Sequence, residues 1–115
     1  MPDYLKSLRD ALTPLAVALY DRQVRALGAA DLGSAATWGE RCNDVEGRRK
    51  RVGVKQTAWI IVPPPPGTEA EFGPRVEDLI DRLRAVLRAL ERTNEVGADY
   101  DALMAEIDAW LDQHP

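Results

Sequence analysis

The chain has 115 residues, of which 45% are hydrophobic and 30% charged, and its formal net charge is −4. This size and balance indicate one globular domain over residues 1–115, and no apolar run approaches the roughly 18 residues of a membrane span. The start, MPDYLKSLRDAL, is amphipathic and lacks the apolar core of a secretion signal. We therefore expect a protein that is not secreted, makes no membrane contact, and works in the cytoplasm or in a particle assembled there.

Residues 3–27 are predicted to be helical, because leucines recur there at alternating spacings of three and four residues. The stripe consists of Leu5, Leu8, Leu12, Leu15 and Leu19. Pro14 lies inside it, and Thr13-Pro14 also has the form of a helix start. The stripe keeps its phase across the proline, so we expect either one helix kinked at Pro14 or two short collinear helices, ending at Gly28.

The middle of the chain, residues 28–62, has a mixed pattern and is basic. Trp38, Cys42 and Val45 fall at helical spacing and allow about three turns after Ser34 as N-cap. Gly39 and Gly47 oppose such a helix, each by about 1 kcal/mol relative to alanine. We expect this part to be irregular.

Residues 52–62, with the sequence VGVKQTAWIIV, favour a strand. They are rich in β-branched residues, and one face of the strand would carry Val52, Val54, Ala58, Ile60 and Val62. A single strand is not stable alone. It would pair with residues 37–46 as a hairpin or with another subunit; the remaining alternative is that the segment is helical.

The C-terminal part is predicted to be a rigid spacer followed by two helices. Pro63–Pro66 favour an extended conformation about 12 Å long, within a spacer over residues 63–73. Gly73-Pro74 opens a helical hairpin over residues 74–113, with Gly97 ending its first helix. The first apolar stripe is Val76, Leu79, Ile80, Leu83, Val86, Leu87 and Leu90; the second is Tyr100, Leu103, Met104, Ile107, Trp110 and Leu111. The expected fold is therefore mainly α, and the alternative is an α+β fold with a small sheet.

The residue inventory argues against an enzyme. Cys42 is the sole cysteine and His114 the sole histidine, so a Cys-His, Ser-His-Asp or histidine-metal centre would have to be built on the last residues of the chain. Two carboxylate pairs lie at i, i+4 spacing: Glu77 with Asp81, and Asp108 with Asp112. A di-metal bundle would add histidines to such pairs. We expect solvated acidic surface instead, with no catalytic residue, cofactor or metal.

Charge is distributed unevenly along the chain. Residues 40–62 carry six positive and three negative charges, whereas residues 63–115 carry five positive and twelve negative ones. Such polarity suits packing within an assembly or contact with an acidic partner. The candidate partner-binding residues are the basic cluster with the apolar residues that follow it: Arg48, Arg49, Lys50, Arg51, Trp59 and Ile61.

Two functional hypotheses follow. The first is a small non-enzymatic structural or adaptor subunit of a larger assembly, for example a virion or phage connector component, that contacts other protein subunits as a homo- or hetero-oligomer. The second is a small nucleic-acid-associated protein that uses Arg48–Arg51 on phosphates, with Trp59 stacking on a base. We favour the first, because the chain is acidic overall and no nucleic-acid-binding motif surrounds the cluster.

Overall fold

The computed structural model describes residues 3–113, except for the side chains of residues 68–71, and this part of the chain forms four α-helices. Their bounds are α1, Tyr4–Gly28; α2, Leu32–Ile61; α3, Thr68–Thr93; and α4, Tyr100–Gln113. Residues 3–113 contain no strand. The mainly α prediction is confirmed, and the small sheet is wrong. No helix in the described range is both long and apolar enough to cross a membrane.

Helix α1 runs without a break through Pro14, so the alternative of two short helices is wrong. A proline inside a helix costs about 3 kcal/mol through its missing N–H and its steric clash. The five leucines of the stripe are each at most 4% exposed, and burying each contributes about 1.5–3 kcal/mol. Their combined burial outweighs the cost of the proline. The carboxylate of Asp3 caps the helix by accepting the Lys6 N–H at 2.9 Å.

Residues 52–61, predicted to be part of a strand, are instead the last turns of α2. Val52 is fully buried but Val54 is 71% exposed, whereas a strand would place both on one face. The helix turns a stripe with a heptad repeat toward the bundle; Val45 and Val52 in it are buried, the other members are half-buried, and polar residues occupy two positions. The stripe is Trp38, Cys42, Val45, Arg49, Val52, Gln56 and Trp59. Most of the middle predicted to be irregular, residues 28–62, and of the possible hairpin within it at about 37–62, is therefore one long helix that ends at Ile61.

Three helix ends differ from those predicted. Asp31, not Ser34, caps α2, and its carboxylate accepts both the N–H and the hydroxyl of Ser34, at 3.1 and 2.8 Å. Helix α3 begins at Thr68, after Gly67 with φ of 91°, so the spacer is shorter than predicted and Pro74 lies inside the helix. The C-cap of α3 is Asn94, with φ of 58°, and Gly97 lies in the following loop.

The helices form an elongated four-helix bundle of 52 × 24 × 21 Å. α1 packs against α2 and α3, and α4 packs against the same two helices. Arg75 pairs with Glu106, and Arg82 with Asp99, so α3 and α4 run antiparallel, as the predicted hairpin requires. Arg22 on α1 donates to the carbonyl of Leu90 and so covers the C-terminus of α3.

The core runs along the whole bundle and includes the C-terminal stripes predicted from sequence. Every residue of those two stripes is buried except Leu87, which is half-buried. At one end of the bundle all four helices contribute to a cluster of aromatic rings. Its members are Tyr4, Trp59, Phe72 and Trp110, with neighbouring ring centroids 5.3–5.9 Å apart.

Candidate interaction surfaces

Half of the predicted basic cluster lies in a contact within the protein. Arg48 donates to the carboxylate of Asp108 at 2.7 Å and to the carbonyl of Met104 at 3.2 Å. Arg51 donates to Asp108 at 2.9 Å and to Asp112 at 2.8 Å. These bonds join α2 to α4 and neutralise charge locally. Asp108 and Asp112, predicted to be solvated acidic surface, are the acceptors in this contact, and Asp112 is 72% exposed.

The other two cations of the cluster point elsewhere. Arg49 makes two hydrogen bonds to Glu46, one helical turn earlier, at 2.9 and 3.0 Å. This contact lowers the pKa of Glu46, with the hydrogen bond as the largest cause. Lys50 is exposed on the outer side of α2. The four consecutive cations thus face three directions and do not form one basic surface.

Trp59, a candidate anchor for a partner, is half-buried within the aromatic cluster. Its ring centroid lies 5.3 Å from that of Phe72. The ammonium of Lys55 lies 5.4 Å from the Trp59 ring centroid and 5.8 Å from that of Trp110. The structure therefore places Trp59 in contacts within the chain, while Ile61, two residues later, is 75% exposed.

Lys55 is an internal charge at the aromatic end of the bundle. It is only 7% exposed, and within residues 3–113 its ammonium has no hydrogen-bond acceptor. Burial lowers its pKa; Arg51 acts in the same direction, and Asp112 opposes both. Two ring faces supply the favourable contacts.

The end of α2 exposes an apolar surface, which we call the α2 terminal patch. Its large members are between 71% and 78% exposed: Val54, Ile60, Ile61 and Val62. The patch ends at the prolines that connect α2 to α3. Isolated exposed apolar residues are normal on a protein surface, whereas groups of them mark interaction sites; Ile60, Ile61 and Val62 are consecutive, and Val54 precedes Ile61 by two turns. Of the predicted partner-binding residues, Ile61 is the one that lies in this patch.

A second surface, on α3, was missed as a unit. Five exposed charged residues follow the outward face of this helix, and none makes an ion pair within 4 Å among the described residues. We call it the α3 charged row: Glu77, Asp81, Arg84, Arg88 and Arg92. The signal was present in the sequence as i, i+4 spacing within each sign of charge. Glu77 and Asp81 were predicted to be solvated, and the structure shows them exposed.

The described residues contain no group of three or more His, Cys, Asp or Glu side chains placed to hold a metal. The Cys42 thiol lies 3.6 Å from the carbonyl of Ala16, and burial, then Glu46, raises its pKa. It therefore stays protonated and weakly nucleophilic at neutral pH. His114 lies outside the described residues.

An open groove of about 770 Å³ lies between α1 and α3. It is lined by Val17, Leu87 and the carboxylates of Asp10, Asp21 and Glu91, among others. The lining also contains the Thr13 hydroxyl, which donates to the carbonyl of Arg9 at 2.9 Å.

No family model, no curated protein and no solved structure matches this chain. Its surfaces are therefore interpreted from their own chemistry.

Proposed function

We propose that this protein is a non-enzymatic structural or adaptor subunit that binds another protein through the α2 terminal patch. The observation that carries the proposal is the exposure of Val54, Ile60 and Ile61 in the last turns of α2, together with that of its C-cap Val62. Burying each of these side chains is worth about 1.5–3 kcal/mol. A helix end of this kind fits an apolar groove or a second helix on a partner.

The setting of this contact is a larger assembly in the cytoplasm or in a particle formed there, such as a virion or a phage connector. The sequence alone suggested an extended contact segment, and the structure changes its form to a helix. The proline-rich connection keeps the patch at the end of the bundle, because prolines prevent the helix from continuing.

The internal contacts of the basic cluster favour this function over nucleic-acid binding. Phosphate would have to compete with Asp108 and Asp112 for the guanidinium groups of Arg48 and Arg51. Those same ion pairs attach α4 to α2. Use of the cluster on nucleic acid would therefore weaken the fold, whereas use of the α2 terminal patch leaves it intact.

Site-specific photocrosslinking in the cells that make the protein tests the proposal. A photoreactive amino acid at position 61 should give one discrete crosslinked protein band. The matched control is position 36, where Ala36 is exposed near the opposite end of the same helix. The position-61 crosslink should disappear in the background of Val54→Ser with Ile60→Ser, since these changes remove the apolar contact.

Two results would contradict the proposal. One is equal, diffuse labelling from positions 61 and 36, which would mean that the patch has no partner. The other is a crosslink from position 61 that nuclease removes, which would favour the nucleic-acid hypothesis.

A further inference from the structure

In the α3 charged row, the acidic residues and the arginines lie in separate parts of the helix, and the residues of each charge are four positions apart. Its N-terminal part carries Glu77 and Asp81, and its C-terminal part carries Arg88 and Arg92. All four are exposed, and none has an opposite charge within 4 Å in the described residues. Other charged residues of this helix do have partners: Arg75 and Arg82 both bind acidic residues of α4 or of the loop that precedes it. The residues of the row differ from these two in facing away from the bundle.

The positions of these charges are symmetric about one point. Positions 77 and 92 are equally distant from the midpoint between residues 84 and 85, and so are positions 81 and 88. In each of these two pairs one residue is acidic and the other is arginine. A two-fold axis perpendicular to a helix generates an antiparallel copy, in which each position meets its mirror position. An axis at this midpoint therefore places every acidic member opposite an arginine.

We propose that two copies of this chain associate through the outer faces of α3, antiparallel about a two-fold axis between residues 84 and 85. Glu77 of each copy faces Arg92 of the other, and Asp81 of each copy faces Arg88 of the other. Ala85 lies beside the axis and opposite Arg84 of the other copy, and it is exposed and small enough to leave room for that longer side chain. From Glu77 to Arg92 the contact runs about 22 Å along the helix.

The remaining member of the row limits the strength of this association. Arg84 lies beside the axis and meets no acid at its mirror position, which is Ala85. The interface is rich in charge and poor in apolar area, so it belongs to the weak class that buries less than about 1,200 Å² in total. Exposed ion pairs are also screened by salt, with a Debye length of about 10 Å at 0.1 M. The dimer therefore forms at high protein concentration and dissociates as salt is raised.

Charge reversal across the axis gives a sharp test by analytical ultracentrifugation. At about 1 mM protein, where a weak complex is populated, the wild type should sediment as a dimer in low salt and shift to monomer in about 1 M salt. Arg88→Glu and Asp81→Arg, each alone, should be monomeric in low salt, because each homodimer then sets like charges opposite each other. An equimolar mixture of the two variants should recover the dimer, because both pairs in the mixed dimer are again of opposite charge.

Two controls keep the result specific. Lys50→Glu changes the charge by the same amount as Arg88→Glu on an exposed position of α2, and should leave the dimer unchanged. Circular dichroism should show wild-type helix content for every variant. If either reversal at 81 or 88 disturbs the fold, Glu77→Arg with Arg92→Glu provides the second pair for the same mixing experiment.

Three outcomes would overturn the proposal. The first is a wild type that is monomeric in low salt at this concentration. The second is a mixture of the two variants that stays monomeric. The third is a dimer that is lost in Ile61→Glu and kept in Arg88→Glu. The last outcome would place the contact between copies at the α2 terminal patch. The proposal uses a different surface from the proposed function, so either one can fail while the other stands.

Discussion

Lys55 shows how one side chain is held in the bundle against its electrostatic preference. The ammonium is nine-tenths buried, has no hydrogen-bond acceptor within the described residues, and lies near two tryptophan rings. Cation–π contact contributes about 0.5–2 kcal/mol, whereas leaving a buried polar group unsatisfied costs about 1–3 kcal/mol. Burial is the largest cause of the lowered pKa of Lys55, and the nearby Arg51 lowers it further.

Lys55→Met should therefore stabilise the protein at neutral pH, by about 1 kcal/mol. Because the pKa of Lys55 is lower in the fold than its ordinary 10.5, the unfolded chain binds more protons between the two values. The wild type thus loses stability as the pH falls through that window. The advantage of the methionine variant should be larger at about pH 7 than at about pH 10, as measured by urea unfolding.

The matched control is Lys50→Met, at an exposed position of the same helix. It should change the free energy of unfolding by less than about 0.5 kcal/mol. If Lys55→Met instead lowers the free energy of unfolding at neutral pH, the cation–π contacts outweigh the cost of burying the charge.

At the scale of elements, two glycines should respond to the same substitution in opposite directions. An added Cβ at Gly47, in the middle of α2, meets no atom within 4 Å, so Gly47→Ala should stabilise the protein by about 0.5–1 kcal/mol. An added Cβ at Gly73 would lie 2.8 Å from the hydroxyl and 2.9 Å from Cζ of Tyr4. The Tyr4 ring packs edge-on against Phe72, which limits how far it can move.

Gly73→Ala should therefore destabilise the protein, by about 1–3 kcal/mol, since α1 and α3 would have to separate locally. Thermal or urea unfolding of the two variants side by side measures both effects, and each variant serves as control for the other. An increase in stability on Gly73→Ala would show that Tyr4 can move aside without loss, so that this close approach is not needed to seat α3.

The attachment of α4 to α2 gives another prediction. Asp108 accepts hydrogen bonds from both Arg48 and Arg51, and the Arg48 side chain is only 16% exposed. Asp108→Asn should cost about 1–2 kcal/mol, because a neutral amide replaces a carboxylate that meets two guanidinium groups. Asp101→Asn, at an exposed position in the first turn of the same helix, should cost much less. Equal urea midpoints for the two variants would contradict a structural role for the Asp108 contacts.

The helices that were predicted correctly from the sequence are those whose apolar stripe is unbroken. In α1, α3 and α4 the apolar residues recur with the period of a helix, and this period alone identifies the face that is buried. In α2 the stripe contains Arg49 and Gln56 where apolar residues would continue it, so the β-branched residues at 52–62 gave the stronger local signal. Tertiary packing favours a helix instead, because Val52 and Trp59 can both pack against the other helices only if the segment is helical.

The candidate surfaces were less predictable than the helices. Ion pairing depends on which helices become neighbours, so the basic cluster could not be known to meet Asp108 and Asp112 before the packing of α2 on α4 was seen. The α3 charged row is visible as spacing in the sequence. That it faces outward follows from the buried stripe on the opposite side of the same helix.

At the scale of the whole molecule, the bundle should unfold as one unit. A single buried cluster includes residues from all four helices, and it extends from the aromatic rings at one end to Leu90 and Val96 towards the other. Domains of this size with a continuous core usually unfold in one cooperative transition. The tryptophans report on both ends, since Trp38 and Trp59 are about 32 Å apart along α2.

Two variants isolate these reporters. Trp38→Phe leaves the rings of the aromatic cluster as the source of fluorescence, and Trp59→Phe with Trp110→Phe leaves Trp38. Within each variant, the fluorescence midpoint in urea should coincide with the midpoint of helix loss measured by circular dichroism, whatever the substitution does to overall stability. A Trp38 transition that precedes helix loss would mean that the end of the bundle beyond α4 unfolds first. That end has three helices instead of four, so it is where a departure from single-step unfolding would begin.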